Sequence, residues 1–178
     1  MISIQTPPPR ITKGEAVSYQ PTSLYSEILE NLFMGGTDDD DVIHLAARRR
    51  PAGYLPFESI VTMYAVARPA DWSVQEFRYG IPDASIGEID LARLKEAVEF
   101  GFRRWKAGDR VLVRCQAGLN RSGLVTALIL MKAGHDAESA IAKIRKERAE
   151  VALFNGEYVR WLVSEGVNFL KPTNNKAA

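Results

Sequence analysis

The run Val111-Leu112-Val113 constrains this chain most, because three apolar residues flanked by helical patterns on both sides fit best as a buried central strand. Before it, Asp90 heads a segment whose apolar residues Leu91, Leu94, Val98, Phe102 and Trp105 recur every three or four positions up to Gly108. After it comes a short turn, and a second helix is predicted from about Arg121 to Ala133, stopped at Gly134. Helix, strand, turn and helix in that order define an α/β unit. In sheets of that kind ligands bind beyond the carboxyl ends of central strands, so the loop after Val113 is where a site is expected.

The rest of the chain extends the pattern. Glu27-Ile28-Leu29 and Leu32-Phe33-Met34 read as two strands around a Glu30-Asn31 turn, ending at Gly35-Gly36. Ser59 to Tyr64 and Val74 to Tyr79 read as two more strands. Asp136 caps a helix through Ile141, Ile144 and Arg148, and a last helix starts near Asn155, with Phe154 and Val159 at the spacing of a hydrophobic staple. The acids Asp38 to Asp41, the apolar Val42 to Leu45 and the bases Arg48 to Arg50 read as one short helix stopped by Pro51. The expected fold is a three-layer α/β sandwich, a mostly parallel central sheet flanked by helices. Residues 1–20, with Pro7-Pro8-Pro9, read as a flexible arm, 21–170 as the functional domain and 171–178 as a flexible tail.

Composition excludes more than it selects. With 23 basic and 22 acidic residues the net charge is +1, so no global field gathers nucleic acid or anionic membrane, and any anion site must be local. No apolar run suits a signal peptide or a membrane span, which points to a cytoplasmic protein, with a monomer as the default state. The single Cys rules out an internal disulfide and a thiolate-rich zinc site within one chain.

That Cys stands at the expected site. In Cys115-Gln116-Ala117-Gly118-Leu119-Asn120-Arg121-Ser122 a thiol at a strand end precedes an Arg and a Ser that open a helix. Such a turn can aim successive backbone N–H groups inward and make a nest for a tetrahedral dianion, with Gly118 relieving the backbone. The helix N-terminus adds positive potential, and the Arg121 guanidinium can grip two phosphate oxygens. The same donors favour a thiolate, and thiols in such settings titrate at roughly 3.5 to 7.5. Cys115 is therefore the candidate nucleophile, with Ser122 within reach of its sulfur.

Expelling an alkoxide or phenoxide also requires a proton donor. Neither His44 nor His135 sits in a convincing site loop, whereas Asp83 does, in Ile81-Pro82-Asp83-Ala84-Ser85, with Pro82 restraining the loop. Asp71 and Asp90 are the substitutes, although Asp90 already serves as a helix cap. No metal or other cofactor is called for. The Asp38 to Asp41 run reads as dipole complement, Arg48 to Arg50 and Arg145 with Arg148 as solvated or salt-bridged faces, the latter pair with substrate contact as the alternative, His44 as structural, and Tyr64 and Trp72 as core aromatics, with a place in the pocket wall as the alternative.

On these residues the sequence resembles the compact dual-specificity branch of the cysteine-dependent protein tyrosine phosphatases, from about Leu24 to Leu170. Besides Cys-x5-Arg-Ser, the resemblance includes Asn31 to Gly36, Ile81-Pro82-Asp83, and Ala140 to Arg145 through Asn155, Tyr158 and Leu162. It implies hydrolysis of phosphorylated protein through a phosphocysteine: Cys115 attacks, Asp83 supplies the proton, Ser122 stabilises the departing thiolate, and Gln116, Ala117, Gly118, Leu119, Asn120 and Arg121 bind phosphate. It implies phosphotyrosine as substrate, with phosphoserine and phosphothreonine as further substrates. One departure stands out. The family usually has His before the nucleophile, where this chain has Arg114, so the thiolate is tuned differently or the loop is braced differently. Two other readings of an anion-cradling Cys loop are a non-catalytic phosphate-binding module and a sulfurtransferase or arsenate-type reductase; the reductase would want a second thiol, which this chain lacks.

Overall fold

The computed structural model describes residues 21, 23–37, 57–70 and 72–172. The short helix expected between Asp38 and Arg50, together with His44, Asp71 and most of both terminal segments, lies outside these residues. Five strands form one sheet: β1 (Tyr25–Leu29), β2 (Leu32–Gly35), β3 (Ser59–Thr62), β4 (Gln75–Arg78) and β5 (Val111–Arg114). Their order is β1-β2-β5-β3-β4, antiparallel only between β1 and β2 and parallel elsewhere. The strand chosen from its composition alone, β5, lies at the centre.

Among the described residues four α-helices accompany the sheet: α1 (Leu91–Lys106), α2 (Arg121–Lys132), α3 (Ala137–Glu147) and α4 (Gly156–Leu170). Three start on side-chain caps that occupy otherwise orphaned N–H groups. The Asp90 carboxylate accepts from Ala92 and Arg93, Asp136 from Ser139, and the Asn155 side chain from Glu157 and Tyr158. The fourth, α2, has Asn120 as its N-cap, and that side chain makes no capping bond. Its amide is used in the site instead.

Period-two alternation divides the strand side chains between two cores. Val111 and Val113 of β5, Leu32 and Met34 of β2 and Val61 of β3 pack with all four helices in the main cluster. Leu112, Phe33 and Ile60 point the other way and meet Phe57, Tyr25 and Leu24 in a smaller one. Rings of Tyr25, Phe33 and Phe57 pack edge to face there, with centroids 5.1 to 6.4 Å apart. Helix α2 is buried from Ser122 to Met131 and touches α1, α3 and α4, so it is the helix on which the others are assembled. The fold is thus mostly parallel α/β with flanking helices, as expected; the sheet is open, and all four described helices pack with the main core.

Two expectations about aromatic residues give way. Trp72 is 99% exposed, because it sits in the turn ahead of the edge strand β4, beyond the reach of either core. Phe154, expected to pack on Val159, is 66% exposed and lines a cleft described below.

Because Leu128 lies fully buried at the centre of α2, Leu128→Ala is expected to cost about 2–5 kcal/mol of stability by urea denaturation. Val167→Ala, on the exposed face of α4, should stay within about 0.5 kcal/mol of the parent.

Candidate active site

Strand β5 ends at Arg114, helix α2 begins at Arg121, and the residues between turn sharply beneath the carboxyl edge of the sheet. A turn whose N–H groups point inward must point its carbonyls outward, and each buried carbonyl needs a donor. Those donors are present. The Gln116 carbonyl accepts from Thr37 N–H (3.0 Å), Leu119 from Leu153 N–H (3.3 Å) and Asn120 from Leu124 N–H (2.8 Å). Gly118 accepts from Arg148 Nε at 3.0 Å, and Ala117 from another nitrogen of the same guanidinium at 3.5 Å. Among the described residues no amide N–H from Gln116 to Arg121 donates to a loop or turn carbonyl, so no such bond competes with an anion for these donors. Gly118 is required twice over: its φ is +68°, and a Cβ there would lie 2.2 Å from the Gly35 carbonyl carbon.

Arg148 corrects the sequence reading. Expected on a solvated helix face, it is 7% exposed, and it also donates to the carbonyls of Ser23 (2.7 Å) and Leu24 (3.0 Å). It therefore ties the turn to the chain entering β1. Burial lowers its pKa to about 10, opposed by the nearby Cys115 charge, so the guanidinium stays protonated at neutral pH. Arg145 likewise turns inward and donates to the Ala152 and Leu153 carbonyls at 3.1 Å each. The periodicity of α3 held no sign of this, since the carbonyls that recruit Arg148 come from distant loops and those that recruit Arg145 from the loop after the helix.

Cys115 lies at the base of the turn, 2% exposed, with its sulfur 3.3 Å from the Ser122 hydroxyl. The Arg121 guanidinium rests 5.0 Å from the Tyr64 ring centroid and contacts the Gln116 side-chain oxygen at 3.4 Å. Its Nε is buried with no partner, an orphaned donor of the kind a bound anion satisfies. Asp83 faces the same space. One carboxylate oxygen accepts from the Asn120 amide and the other from the Asn155 amide, each at 3.0 Å. Asn155 N–H in turn donates to the Asn120 side-chain oxygen at 3.0 Å. Tyr158 donates its hydroxyl to the Pro82 carbonyl at 2.6 Å; burial, reinforced by the Asp83 charge, pushes its pKa up to about 12, so it remains a donor.

Asp83, Cys115, Gln116, Ala117, Leu119, Asn120 and Arg121 line one cleft of about 340 Å³, together with Val151 and Phe154. The structure thus brings the sequence-predicted residues together, with Gly118 and Ser122 in the wall behind. Sequence reasoning missed Val151, Phe154 and the second role of the asparagines. His135 and Asp90 lie outside this lining, and no cluster of three metal-ligating side chains occurs among the described residues.

Arg114 is fully buried. Its Nε donates to the Thr62 hydroxyl at 2.8 Å, and a terminal nitrogen donates to the Arg68 carbonyl (2.7 Å) and the Glu76 carboxylate (3.1 Å). Glu76 also accepts from Thr62, Arg78 and the Ala70 N–H. Burial acts to raise the Glu76 pKa, but the bonds from Thr62 and Ala70 and the charges of Arg78 and Arg114 outweigh it, and the net shift is downward from 4.5.

Comparison with known proteins gives a family and a fold. A family model described as "Dual specificity phosphatase, catalytic domain" matches residues 73–166. Among solved structures, a mouse putative dual specificity phosphatase complexed with zinc tungstate aligns at 21% identity, TM-score 0.63, over 91% of this chain and 100% of that one. Human DUSP28 aligns at 20% identity, TM-score 0.64, over 84% and 99%. PTPMT1 in complex with PI(5)P aligns at 18% identity, TM-score 0.62, over 83% and 97%. No curated protein matches the sequence.

Two outcomes follow from the geometry. Gly118→Ala should fold but lose inorganic phosphate binding by more than tenfold, measured by calorimetry, because the turn cannot keep its course past Gly35. A carboxylate with a depressed folded-state pKa stabilises above its unfolded pKa and loses that contribution as pH falls through the folded value. Glu76→Gln should therefore destabilise the protein at neutral pH, and the gap from the parent should narrow as the pH falls below the ordinary carboxylate value of 4.5, by urea denaturation at each pH.

Proposed function

The chain belongs to the dual specificity phosphatase catalytic-domain family, and from that premise we propose that Cys115, Arg121, Asp83 and Ser122 carry out its chemistry. As a member it is a cysteine-dependent protein phosphatase, and the phosphocysteine route is general to the family. In the proposed first step the Cys115 thiolate attacks phosphorus while the bond to the leaving oxygen breaks. Asp83 passes its proton to that oxygen. In the second step water attacks the phosphocysteine, Asp83 takes the proton back, and the sulfur leaves as a thiolate that accepts from the Ser122 hydroxyl. The amides of Gln116 to Arg121 and the Arg121 guanidinium hold the three non-bridging oxygens throughout. The convergence of Asp83, Cys115 and Arg121 on one cleft carries this reading.

Phosphotyrosine is the proposed main substrate, with phosphoserine and phosphothreonine as slower ones. Val151 and Phe154 give the cleft an apolar wall suited to a phenyl ring, and among the described residues that line it Arg121 is the one cation. Polyanionic head groups favour additional cations, so PI(5)P, bound in the PTPMT1 structure, is not the proposed substrate here. The domain that carries the activity is taken as residues 21–170. We also propose that it works as a cytoplasmic monomer on phosphorylated proteins, without metal, nucleic acid or membrane. The net charge of +1 supports this, and no described helix is long and apolar enough to cross a membrane.

Cys115→Ser should abolish turnover of an aryl phosphate while retaining phosphate binding, whereas turnover at the parent rate would remove Cys115 from the mechanism. Asp83→Ala should slow substrates with poor leaving groups by about 10²–10⁴-fold and those with good leaving groups much less, in steady-state kinetics across a series of substituted phenyl phosphates. Asn155→Ala, which frees one Asp83 oxygen, should show a weaker form of the same pattern.

A further inference from the structure

The residues behind the cleft do something the catalytic assignments do not use. Between β3 and β4 the chain runs through Tyr64 to Ala70, and side chains anchor much of this segment. Arg78 donates to the Ala67 carbonyl at 2.6 Å and to the Arg68 carbonyl at 3.3 Å. Arg114 donates to the Arg68 carbonyl, and Glu76 accepts from Ala70 N–H. Arg114 also grips the end of β3 itself, through the Thr62 hydroxyl and through its own carbonyl, which accepts from Met63 N–H at 2.8 Å. The next residue is Tyr64, whose ring lies against the Arg121 guanidinium.

Arg121 needs such a support. Its Nε has no partner, and its contact with Gln116 is long at 3.4 Å, so polar bonds within the turn do little to orient it before an anion arrives. A ring of fixed position restricts the guanidinium to a plane, and the network of Arg114, Glu76, Thr62 and Arg78 holds the chain on either side of that ring.

We infer that Arg114 is a positioning residue for anion binding, acting through Tyr64 to hold the Arg121 guanidinium in its phosphate-gripping orientation. The inference rests on the proposed role of Arg121 as phosphate clamp. In this chain the residue before the nucleophile thus reaches away from the sulfur and braces the opposite wall of the site.

The test measures inhibition of aryl phosphate turnover by inorganic phosphate in a set of variants of the full chain. Arg121→Lys comes first: unchanged phosphate affinity there would sink the clamp assignment itself. Given a loss in Arg121→Lys, Tyr64→Leu should weaken phosphate by about five- to tenfold, while Tyr64→Phe, which keeps the ring, should match the parent. Arg114→Met should weaken phosphate by a similar factor, and Arg114→His, a milder change, serves if the Met variant does not fold. The decisive comparison repeats the Arg114 change in the Tyr64→Leu background. Its effect should vanish there, because both changes act through one ring. An equal loss in both backgrounds, or parent-like phosphate affinity in Tyr64→Leu, overturns the inference. Thermal unfolding of each variant separates lost stability from lost orientation.

Discussion

The site depends on how the carbonyls of one short turn are satisfied. Aiming the N–H groups of residues 116–121 at a common point forces the oxygens the other way, into protein, where an unmet acceptor costs about 1–3 kcal/mol. Thr37, Leu153, Leu124 and above all Arg148 supply the missing donors. Arg148 acts on two of these carbonyls and on two more at the entry to β1, so the anion cradle and the sheet edge are held by one buried cation. An anion nest is costly to build in the absence of its ligand, and these contacts offset that cost.

Much of this was legible in the residues. The apolar β5, the helix period of α1 and the caps Asp90, Asp136 and Asn155 carry local signals, and the structure realises each within a residue or two at its ends. The turn at Cys115 was legible as well, because a thiol, a Gly and an Arg between strand and helix have few other physical uses. The arginines were not. Arg114, Arg145 and Arg148 carry full charges, and a sequence shows a charge without showing which carbonyls will surround it. Each is bonded to oxygens tens of residues away or in an adjoining loop, for which no periodicity exists. Phe154 and Trp72 failed for the complementary reason, since an aromatic in a loop is buried only if another element passes over it.

Asparagine is used with similar economy. Asn120 leaves its capping duty at α2 unfilled and gives its amide to Asp83, while Asn155 caps α4 with its oxygen and holds Asp83 with its nitrogen. The acid loop is thereby fastened to the anion turn and to α4 at once, and Tyr158 fastens it again at Pro82. In the role proposed for Asp83, a proton donor held at both oxygens has little rotational freedom to lose on reaching the transition state, which is the condition for efficient transfer.

The central claim is that phosphate is transferred to sulfur before it reaches water. Acid quenching during turnover of an aryl phosphate in excess, followed by mass analysis of the peptides, tests it directly. The account predicts one added phosphoryl group on the peptide containing Cys115, absent when substrate is omitted. A phosphoryl group on another residue, or rapid turnover with no phosphorylated peptide at any quench time, would contradict it.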